Sequence, residues 1–196
     1  MTETAKELLD ISYSSANSWD QGYKEDALTA ILKVGEEREP TEPMKLGRKW
    51  HEVWEEETKR TKQVPALFGY KLPGRVRAEQ RYQLVIPTEH EYDIRITGVL
   101  DIETEDGLWI ADHKCGKTEV ERYLNSQQIG IYALLRPMAE VGIYNTYNPY
   151  TKKAEVFPII IGKAMRDEAT QWIKKIAHEV FEHCQSEGMP FYRIMI

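Results

Sequence analysis

The spacing of hydrophobic and polar residues predicts helices and strands in a definite order. The first core helix is predicted from Pro43 to about Lys62, where apolar residues recur at helical spacing: Leu46, Trp50, Val53 and Trp54. Three segments then alternate as strands do, over 77–86, 92–102 and 107–114. Helical spacing returns over 120–135, with Thr118 and Glu121 resembling a capping box.

Further elements are predicted at both ends of the chain. A short N-terminal helix begins at Ser14 or Ser15, and a long amphipathic helix closes the chain. Between the second core helix and the C-terminal helix, 140–147 and 154–161 alternate as the strands of a hairpin. The core order is therefore helix, three strands, helix and strand, with an added hairpin strand and a C-terminal helix. This order predicts an α/β or α+β layered fold.

A hairpin in the middle of the chain places acidic residues face to face. Asp106 and Gly107 lie between two alternating runs, which is a strong signal for a two-residue turn. Such a turn places Asp101 directly opposite Asp112, with Cβ atoms ~4.5–5.5 Å apart. Both share a strand face with apolar residues and Lys114, where a charge is costly. The repulsion is relieved if one carboxylate is protonated, if Lys114 pairs with them, or if both bind a divalent cation.

Three other polar residues have candidate roles on the predicted helices. His51 lies one turn after Gly47, whose missing side chain leaves space for the imidazole. Gln128 and Tyr132 lie one turn apart on the second core helix. Taken singly, an exposed His, a surface Gln with a partly buried Tyr, and a salt-bridged hairpin are the more common arrangements.

Length and charge limit the possible function classes. A chain of 196 residues with 41% hydrophobic residues predicts one domain over 1–196. The net charge of −6 argues against a protein that binds nucleic acid through bulk positive charge. Between Lys59 and Arg81, however, seven basic residues accompany the single acidic Glu79. This stretch either contacts phosphates, through Arg75, Arg77 and Arg81, or is a solvated surface balanced by nearby carboxylates.

Cysteine content and hydropathy bear on location. Two cysteines, Cys115 and Cys184, are too few for a disulfide framework or a four-cysteine cluster, so we expect a reducing, cytoplasmic compartment. No apolar run approaches the ~20 residues of a membrane span, and no signal peptide is evident, so no membrane partner is expected. No phosphate-binding G-x-x-x-x-G-K-[ST] motif of a helicase motor occurs.

Four short motifs carry a family resemblance. They are GRKWH (47–51), GVLD (98–101), DHK (112–114) and QIGIYA (128–133). In order and spacing they resemble the motifs of the RecB-like branch of the PD-(D/E)XK nuclease superfamily. The resemblance implies a restriction-endonuclease-like core, which the predicted order of elements matches. Several relatives hold an iron–sulfur cluster on four cysteines, and with two cysteines we expect no such cluster here.

The resemblance also implies a role for each matching position. The metal ligands would be His51, Asp101, Asp112 and the backbone carbonyl of His113. Oxygen ligands with one histidine suit Mg²⁺ or Mn²⁺.

The remaining matching positions would act on the substrate. Lys114 resembles the family's catalytic lysine, which positions or activates the attacking water and offsets charge on the phosphate. Gln128 and Tyr132 would orient nucleic acid or metal-bound water. Glu79 lies where relatives often carry an acidic residue.

These observations favour a Mg²⁺- or Mn²⁺-dependent DNase. The resemblance implies an exonuclease-like or single-strand-preferring enzyme of DNA recombination, repair or phage DNA processing, with DNA as substrate and a helicase or recombination protein as a possible partner. The alternative is a non-catalytic nucleic-acid-binding or assembly protein on the same fold, although every expected catalytic residue is present. A third interpretation, a salt-bridged hairpin in an unrelated protein, requires four ordered motifs to occur by chance.

Overall fold

The structure is a computed structural model that describes residues 6–33, 39–116 and 120–189. These residues divide into two compact units. The first contains 6–33, 83–98 and 167–189, and the second contains 39–82, 99–116 and 120–166. The expectation of a single domain stays a prediction.

The elements follow the predicted core order. The helices are α1 (Tyr13–Asp20), α2 (Lys24–Leu32), α3 (Glu42–Thr61), α4 (Val120–Leu124), α5 (Gln128–Leu135) and α6 (Lys163–Ser186). The strands are β1 (Glu7–Ser12), β2 (Val76–Ile86), β3 (Tyr92–Thr104), β4 (Trp109–Cys115), β5 (Val141–Asn148) and β6 (Lys153–Ile160). The predicted helix, three strands, helix and strand are confirmed as α3, β2, β3, β4, α5 and β5. The added hairpin strand is β6, and the C-terminal helix is α6.

Several boundaries differ from the sequence prediction. α1 begins after Ser12, not at Ser14 or Ser15, because the Ser12 side chain accepts from the Ser15 backbone and Ser15 reciprocates in a capping box. The helix predicted over 120–135 is two helices, α4 and α5, separated by 125–127. β1 and α2 were not predicted from the sequence. The predicted cap at Thr118 lies outside the described residues.

In the first unit, β1 pairs in parallel with the start of β3, from Glu7 opposite Tyr92 to Ser12 opposite Thr97. Apolar residues alternate along both strands and are buried, with Ile11 and Ile96 fully so. α6 contributes a buried apolar stripe at helical spacing: Ala169, Ile173, Ile176, Ala177, Val180 and Cys184. Its sequence periodicity predicts all of these residues except Ala177, whereas Met165 and Trp172, which the same periodicity includes, are half-buried.

In the second unit, β4 lies between two strands and two helices. β3 pairs antiparallel with β4, β4 parallel with β5, and β5 antiparallel with β6, so the sheet is mixed. One core cluster contains Trp54, Val64, Phe68, Leu72, Val76, Ile102, Ala111, Ile143 and Tyr147. α3 contributes Trp54 to it, whereas Val53, predicted to face the core, is 45% exposed.

α5 approaches the second unit's sheet closely. A Cβ atom at Gly142 of β5 would collide with the Ile129 side chain of α5, so only glycine allows this packing.

The opposite faces of β4 have different partners. Ala111 packs in the cluster with Trp54, and Asp112, one residue on, is bonded to α5.

The β3–β4 hairpin has a four-residue loop, not the predicted two-residue turn. β3 ends at Thr104 and β4 begins at Trp109, and the Asp106 carboxylate accepts from Thr104 Oγ1 and the Leu108 N–H. Gly107 has φ +75°, and a Cβ there would collide with the Arg136 guanidinium. Asp106 thus forms an Asx-type loop, and Gly107 leaves space for the Arg136 side chain.

None of the helices in the described ranges is both long and apolar enough to cross a membrane.

Candidate active site

The β3–β4 hairpin brings the two aspartates together in the predicted register. Ile102 faces Ala111 and Glu103 faces Ile110. One further step of this register places Asp101 opposite Asp112. There the His113 N–H donates to Asp101 Oδ2 at 2.6 Å, so a side chain joins the two strands where the backbone pairing ends.

The carboxylate of Asp112 is held from both sides. Gln128 Nε2 donates to its Oδ1 at 2.6 Å, and Tyr132 Oη lies 3.4 Å from the same oxygen. Lys114 Nζ lies 2.7 Å from Oδ2. Gln128 also donates to Tyr132 Oη at 2.9 Å, and burial raises the pKa of Tyr132 well above its usual value, so the phenol stays neutral. α5 therefore orients Asp112.

The positions of Gln128 and Tyr132 refine their predicted roles. Both side chains are about 6% exposed, so Gln128 is not the surface residue of the common arrangement. Each is bonded to Asp112, and each would act on a substrate through that carboxylate. Their direct contact with nucleic acid stays a prediction.

His51 reaches the same place from α3. Its Nδ1 lies 3.7 Å from Asp101 Oδ2, and its ring packs 5.4 Å from that of Trp54, which is buried in the core. Burial is the main cause that lowers the pKa of His51, so the imidazole is neutral and able to bind a metal. No atom lies within 4 Å of a Cβ built on Gly47, so the imidazole does not use that space, contrary to the sequence argument.

His113 is a buried support whose backbone faces the site. Its ring is 3% exposed and stacks on Phe68 at 5.0 Å, and its Nδ1 pairs with Asn145 Nδ2 at 3.2 Å. Because Tyr70 Oη donates to Asn145 Oδ1, the amide group donates to Nδ1. Burial lowers the pKa of His113 to about 3. The ring thus remains neutral, and the His113 carbonyl accepts a hydrogen bond from His51. The predicted role of this carbonyl as a metal ligand stays a prediction.

Glu79 is the residue that the pattern analysis did not place in the site. It lies in β2 with φ +51°, a left-handed conformation that costs a non-glycine residue ~1–2 kcal/mol and interrupts regular strand geometry. Its carboxylate lies with the ligand atoms of His51 and Asp101, all within 4.8 Å of one another. Alternation along a strand cannot predict such a residue. Two sequence signals pointed to Glu79: it is a single acidic residue within a basic stretch, and relatives in the resembled family often carry an acidic residue at this position.

The site concentrates negative charge. The pKa of Asp101 is raised well above its usual value, chiefly by burial and then by Asp112. The pKa of Glu79 is raised as well, first by burial and then by Glu55 of α3. Lys114 lies beside Asp112, and the neighbouring His51 is neutral. The described residues around these carboxylates therefore do not supply enough positive charge to balance the negative charge of the site.

The donor set fits a divalent cation. Ligands ~2.1 Å from one ion lie about 3–4 Å apart, and the 3.7 Å between His51 and Asp101 is in this range. His51, Glu79 and Asp101 supply one nitrogen and two carboxylates. Asp112 lies outside this group of three but opposite Asp101. Two of the predicted ligands, His51 and Asp101, therefore converge with Glu79, and the metal-binding role of each residue stays a prediction.

A cleft of about 660 Å³ opens onto these residues. Its lining includes His51, Glu79, Asp101 and Lys114 from the site, and Pro43, Met44, Gly47 and Arg48 from the first half of α3. Its volume is typical of pockets that bind small ligands.

The predicted phosphate-binding arginines lie outside the lining of this cleft. Arg77 Nη2 is 2.7 Å from the buried Glu103, and Arg75 is 4.0 Å from Glu105. Arg81 is exposed. Their contact with nucleic acid stays a prediction, and for Arg77 it would compete with an existing ion pair.

Comparison with known proteins gives similarity of structure without similarity of sequence. No protein-family model matches the sequence, and no curated protein sequence matches it. The crystal structure of SSO0001 is similar at TM-score 0.56 and 16% identity, over 89% of this chain and 78% of that one.

Two exonucleases have the same fold. LHK-Exo, an alkaline exonuclease from Laribacter hongkongensis, in complex with dAMP, is similar at TM-score 0.54 and 12% identity, over 91% of this chain and 93% of its own. A phage-related exonuclease from Haemophilus somnus 129PT is similar at TM-score 0.50 and 13% identity, over 84% and 78%. At these identities the similarity is one of fold: this chain has a mixed α/β, restriction-endonuclease-like fold, as these exonucleases do.

Proposed function

We propose that the protein is a divalent-metal-dependent nuclease that hydrolyses phosphodiester bonds in DNA, with an exonuclease-like mode of action. The observation that carries this proposal is the convergence of His51, Glu79 and Asp101 around one point, with Asp112 opposite Asp101 and Lys114 beside Asp112. The exonuclease fold supports the same activity.

The residues present fit a bound Mg²⁺ or Mn²⁺. His51, Glu79 and Asp101 would hold the ion, with Asp112 and the His113 carbonyl as neighbouring ligands. When bound, such an ion would polarise a phosphoryl oxygen and lower the pKa of a water molecule.

The protein's own residues have distinct tasks in hydrolysis. Lys114 presents a cation at the cleft, where it offsets the negative charge that develops on the phosphate. Asp112 fixes the ammonium group at 2.7 Å, and Gln128 and Tyr132 fix Asp112 in turn. This chain of contacts preorganises the lysine, so that little reorganisation is needed as the reaction proceeds.

The direct test is cleavage of end-labelled linear single- and double-stranded DNA in Mg²⁺, Mn²⁺ or EDTA. Circular DNA separates attack at ends from internal attack, and RNA of the same sequence tests the sugar. We expect cutting of linear DNA that EDTA abolishes and that Asp112→Asn reduces by roughly 10²–10³-fold or more.

Asp106→Asn is the matched control, because it removes one carboxylate from the same hairpin at an exposed loop position and should leave cleavage unchanged. If the pure wild-type protein does not cut and binds no metal by calorimetry, the catalytic proposal is wrong. A non-catalytic nucleic-acid-binding or assembly protein would then remain.

A further inference from the structure

The cleft beside the candidate site has two chemically different sides. Carboxylates of Glu79 and Asp101 lie on the strand side. The α3 side has no acidic residue in its lining: it consists of Pro43, Met44, Gly47, Arg48 and His51. The carboxylates of the first side would repel a phosphate unless a bound cation offset their charge, whereas the second side could bind a phosphate directly.

Arg48 is the arginine on this second side. Its side chain is exposed, and among the described residues no carboxylate lies within ion-pair distance of it. Arg77 and Arg75, by contrast, lie close to Glu103 and Glu105. The Arg48 guanidinium is thus available for an external anion, whereas Arg77 would have to leave its partner.

The helical position of Arg48 sets what it can reach. It lies three residues before His51, so their Cβ atoms are ~5–6 Å apart on one face of α3. A phosphate held at the metal ligands would therefore have its neighbour on the same strand within reach of the guanidinium, which binds phosphate oxygens in bidentate fashion. We propose that Arg48 binds the backbone phosphate adjacent to the scissile one.

Gly47 gives this side of the cleft its open surface. A Cβ built there meets no atom within 4 Å, so glycine is not required by the packing of α3. A mid-helix glycine lowers helix stability by ~1 kcal/mol relative to alanine. An unfilled position next to Arg48 is consistent with a strand that passes close to the helix backbone.

This assignment rests on the proposed function, and its test measures binding as well as cleavage. A labelled single-stranded oligonucleotide is titrated at several salt concentrations with Ca²⁺ in place of Mg²⁺. Arg48→Ala should weaken binding about tenfold, the effect of losing one charge-assisted contact. It should also shallow the dependence of log K on log salt by ~0.7, the value for one phosphate on a single strand.

Lys49→Ala is the matched control, since Lys49 is the next residue of α3, is exposed, carries the same charge and does not line the cleft. It should leave affinity and slope near those of the wild type. Arg48→Lys should retain the slope and lose part of the affinity. In Mg²⁺, Arg48→Ala should raise KM and leave kcat within about threefold, as expected for lost ground-state binding.

The two possible failures can be told apart. If wild type binds and cuts DNA but Arg48→Ala matches Lys49→Ala, the assignment of Arg48 is wrong and the nuclease proposal stands. If Arg48→Ala and Lys49→Ala weaken binding equally, DNA is attracted by the overall positive charge of this surface and not by a specific contact, and the assignment is again wrong. If the wild type neither binds nor cuts DNA, the proposed function fails, and this assignment fails with it.

Discussion

Asp101 and Glu103 lie two residues apart on the same face of β3, yet their surroundings are opposite in charge. Glu103 is fully buried and lies 2.7 Å from both Arg77 Nη2 and Arg136 Nε. The Tyr82 hydroxyl donates to its Oε1 at 2.6 Å. Two cations and one hydroxyl donor therefore contact this carboxylate.

Asp101 faces other acids instead. Its neighbours are Asp112, the Glu79 carboxylate and the neutral His51, and Lys114 lies beside Asp112. The comparison shows two ways to keep a carboxylate inside one strand pair. At Glu103 the protein supplies two cations, so the carboxylate is structural. At Asp101 the neighbouring lysine pairs with Asp112, so this carboxylate is open to the cation that we propose it binds.

Glu103 and the side chains that contact it, Arg77, Arg136 and Tyr82, form the Glu103 cluster, which also holds the elements of the site in place. Arg136 directly follows α5, the helix that holds Asp112 through Gln128 and Tyr132. Its guanidinium lies 4.7 Å from the Tyr82 ring centre and packs against Gly107 in the hairpin loop. The end of α5 is therefore tied to β2, to β3 and to the hairpin that carries Asp112.

The largest expected effect follows from removing the charge of Glu103. Glu103→Gln leaves two arginines without their buried partner, and we expect the free energy of unfolding to fall by ~3 kcal/mol, near the lower end for buried pairs because both arginines are partly exposed. Urea unfolding measures the change. Glu105→Gln is the control: Glu105 is exposed and 4.0 Å from Arg75, so a change within ~0.5 kcal/mol is expected. Equal losses in both variants would contradict a structural role for the Glu103 cluster.

Metal binding should have the next largest effect. At a free Mn²⁺ concentration 100 times its dissociation constant, the folded protein gains ~2.7 kcal/mol. Glu103→Gln should keep this increment because it leaves the ligands in place, and Asp101→Asn should lose most of it. Thermal unfolding with and without Mn²⁺ provides the measurement. An undiminished increment in Asp101→Asn would place the ion elsewhere.

Much of the fold was predictable because its elements are long and periodic. α3, α6 and β2 to β6 follow from spacing, and the pairing of Asp101 with Asp112 follows from the hairpin. The predicted register of β3 against β4 is correct although the loop has four residues. The longer loop adds one residue on each side of the predicted turn, so the same residues stay opposite one another.

Other features depend on contacts that a local pattern does not contain. β1 pairs with a strand more than 80 residues away in the sequence, and the α4–α5 break occurs within one continuous helical pattern. Glu79 enters the site through a left-handed residue, which alternation does not predict. The ion pair of Arg77 with Glu103 is likewise tertiary, so a basic stretch in the sequence gave no indication of which arginine is available.

Asp101→Asn should also raise stability when no metal is present. The pKa of Asp101 is raised in the folded state, so its ionised form destabilises the protein above that pKa, and the neutral amide removes this cost. We expect the free energy of unfolding in EDTA at neutral pH to increase, because the amide brings no charge into the buried site. The gain should shrink as the pH falls and the wild-type carboxyl becomes protonated. Lower stability at neutral pH in EDTA would contradict the contrast with Glu103.

The smallest expected effect is that of Gly47→Ala. This variant tests whether the cleft lowers the stability of the fold at Gly47, as it does at Asp101, in favour of binding. Gly47→Ala places a methyl group where no atom lies within 4 Å, so it should raise the free energy of unfolding by ~0.5–1 kcal/mol through helix propensity. The same methyl group narrows the α3 side of the cleft, and oligonucleotide affinity should fall a few-fold. Urea unfolding and the Ca²⁺ binding titration measure the two effects on one sample. Alanine is the better helix former, so glycine at this position is explained only if the DNA strand passes close to it. A stabilised variant that binds DNA as well as the wild type would therefore mean that the strand does not pass over Gly47.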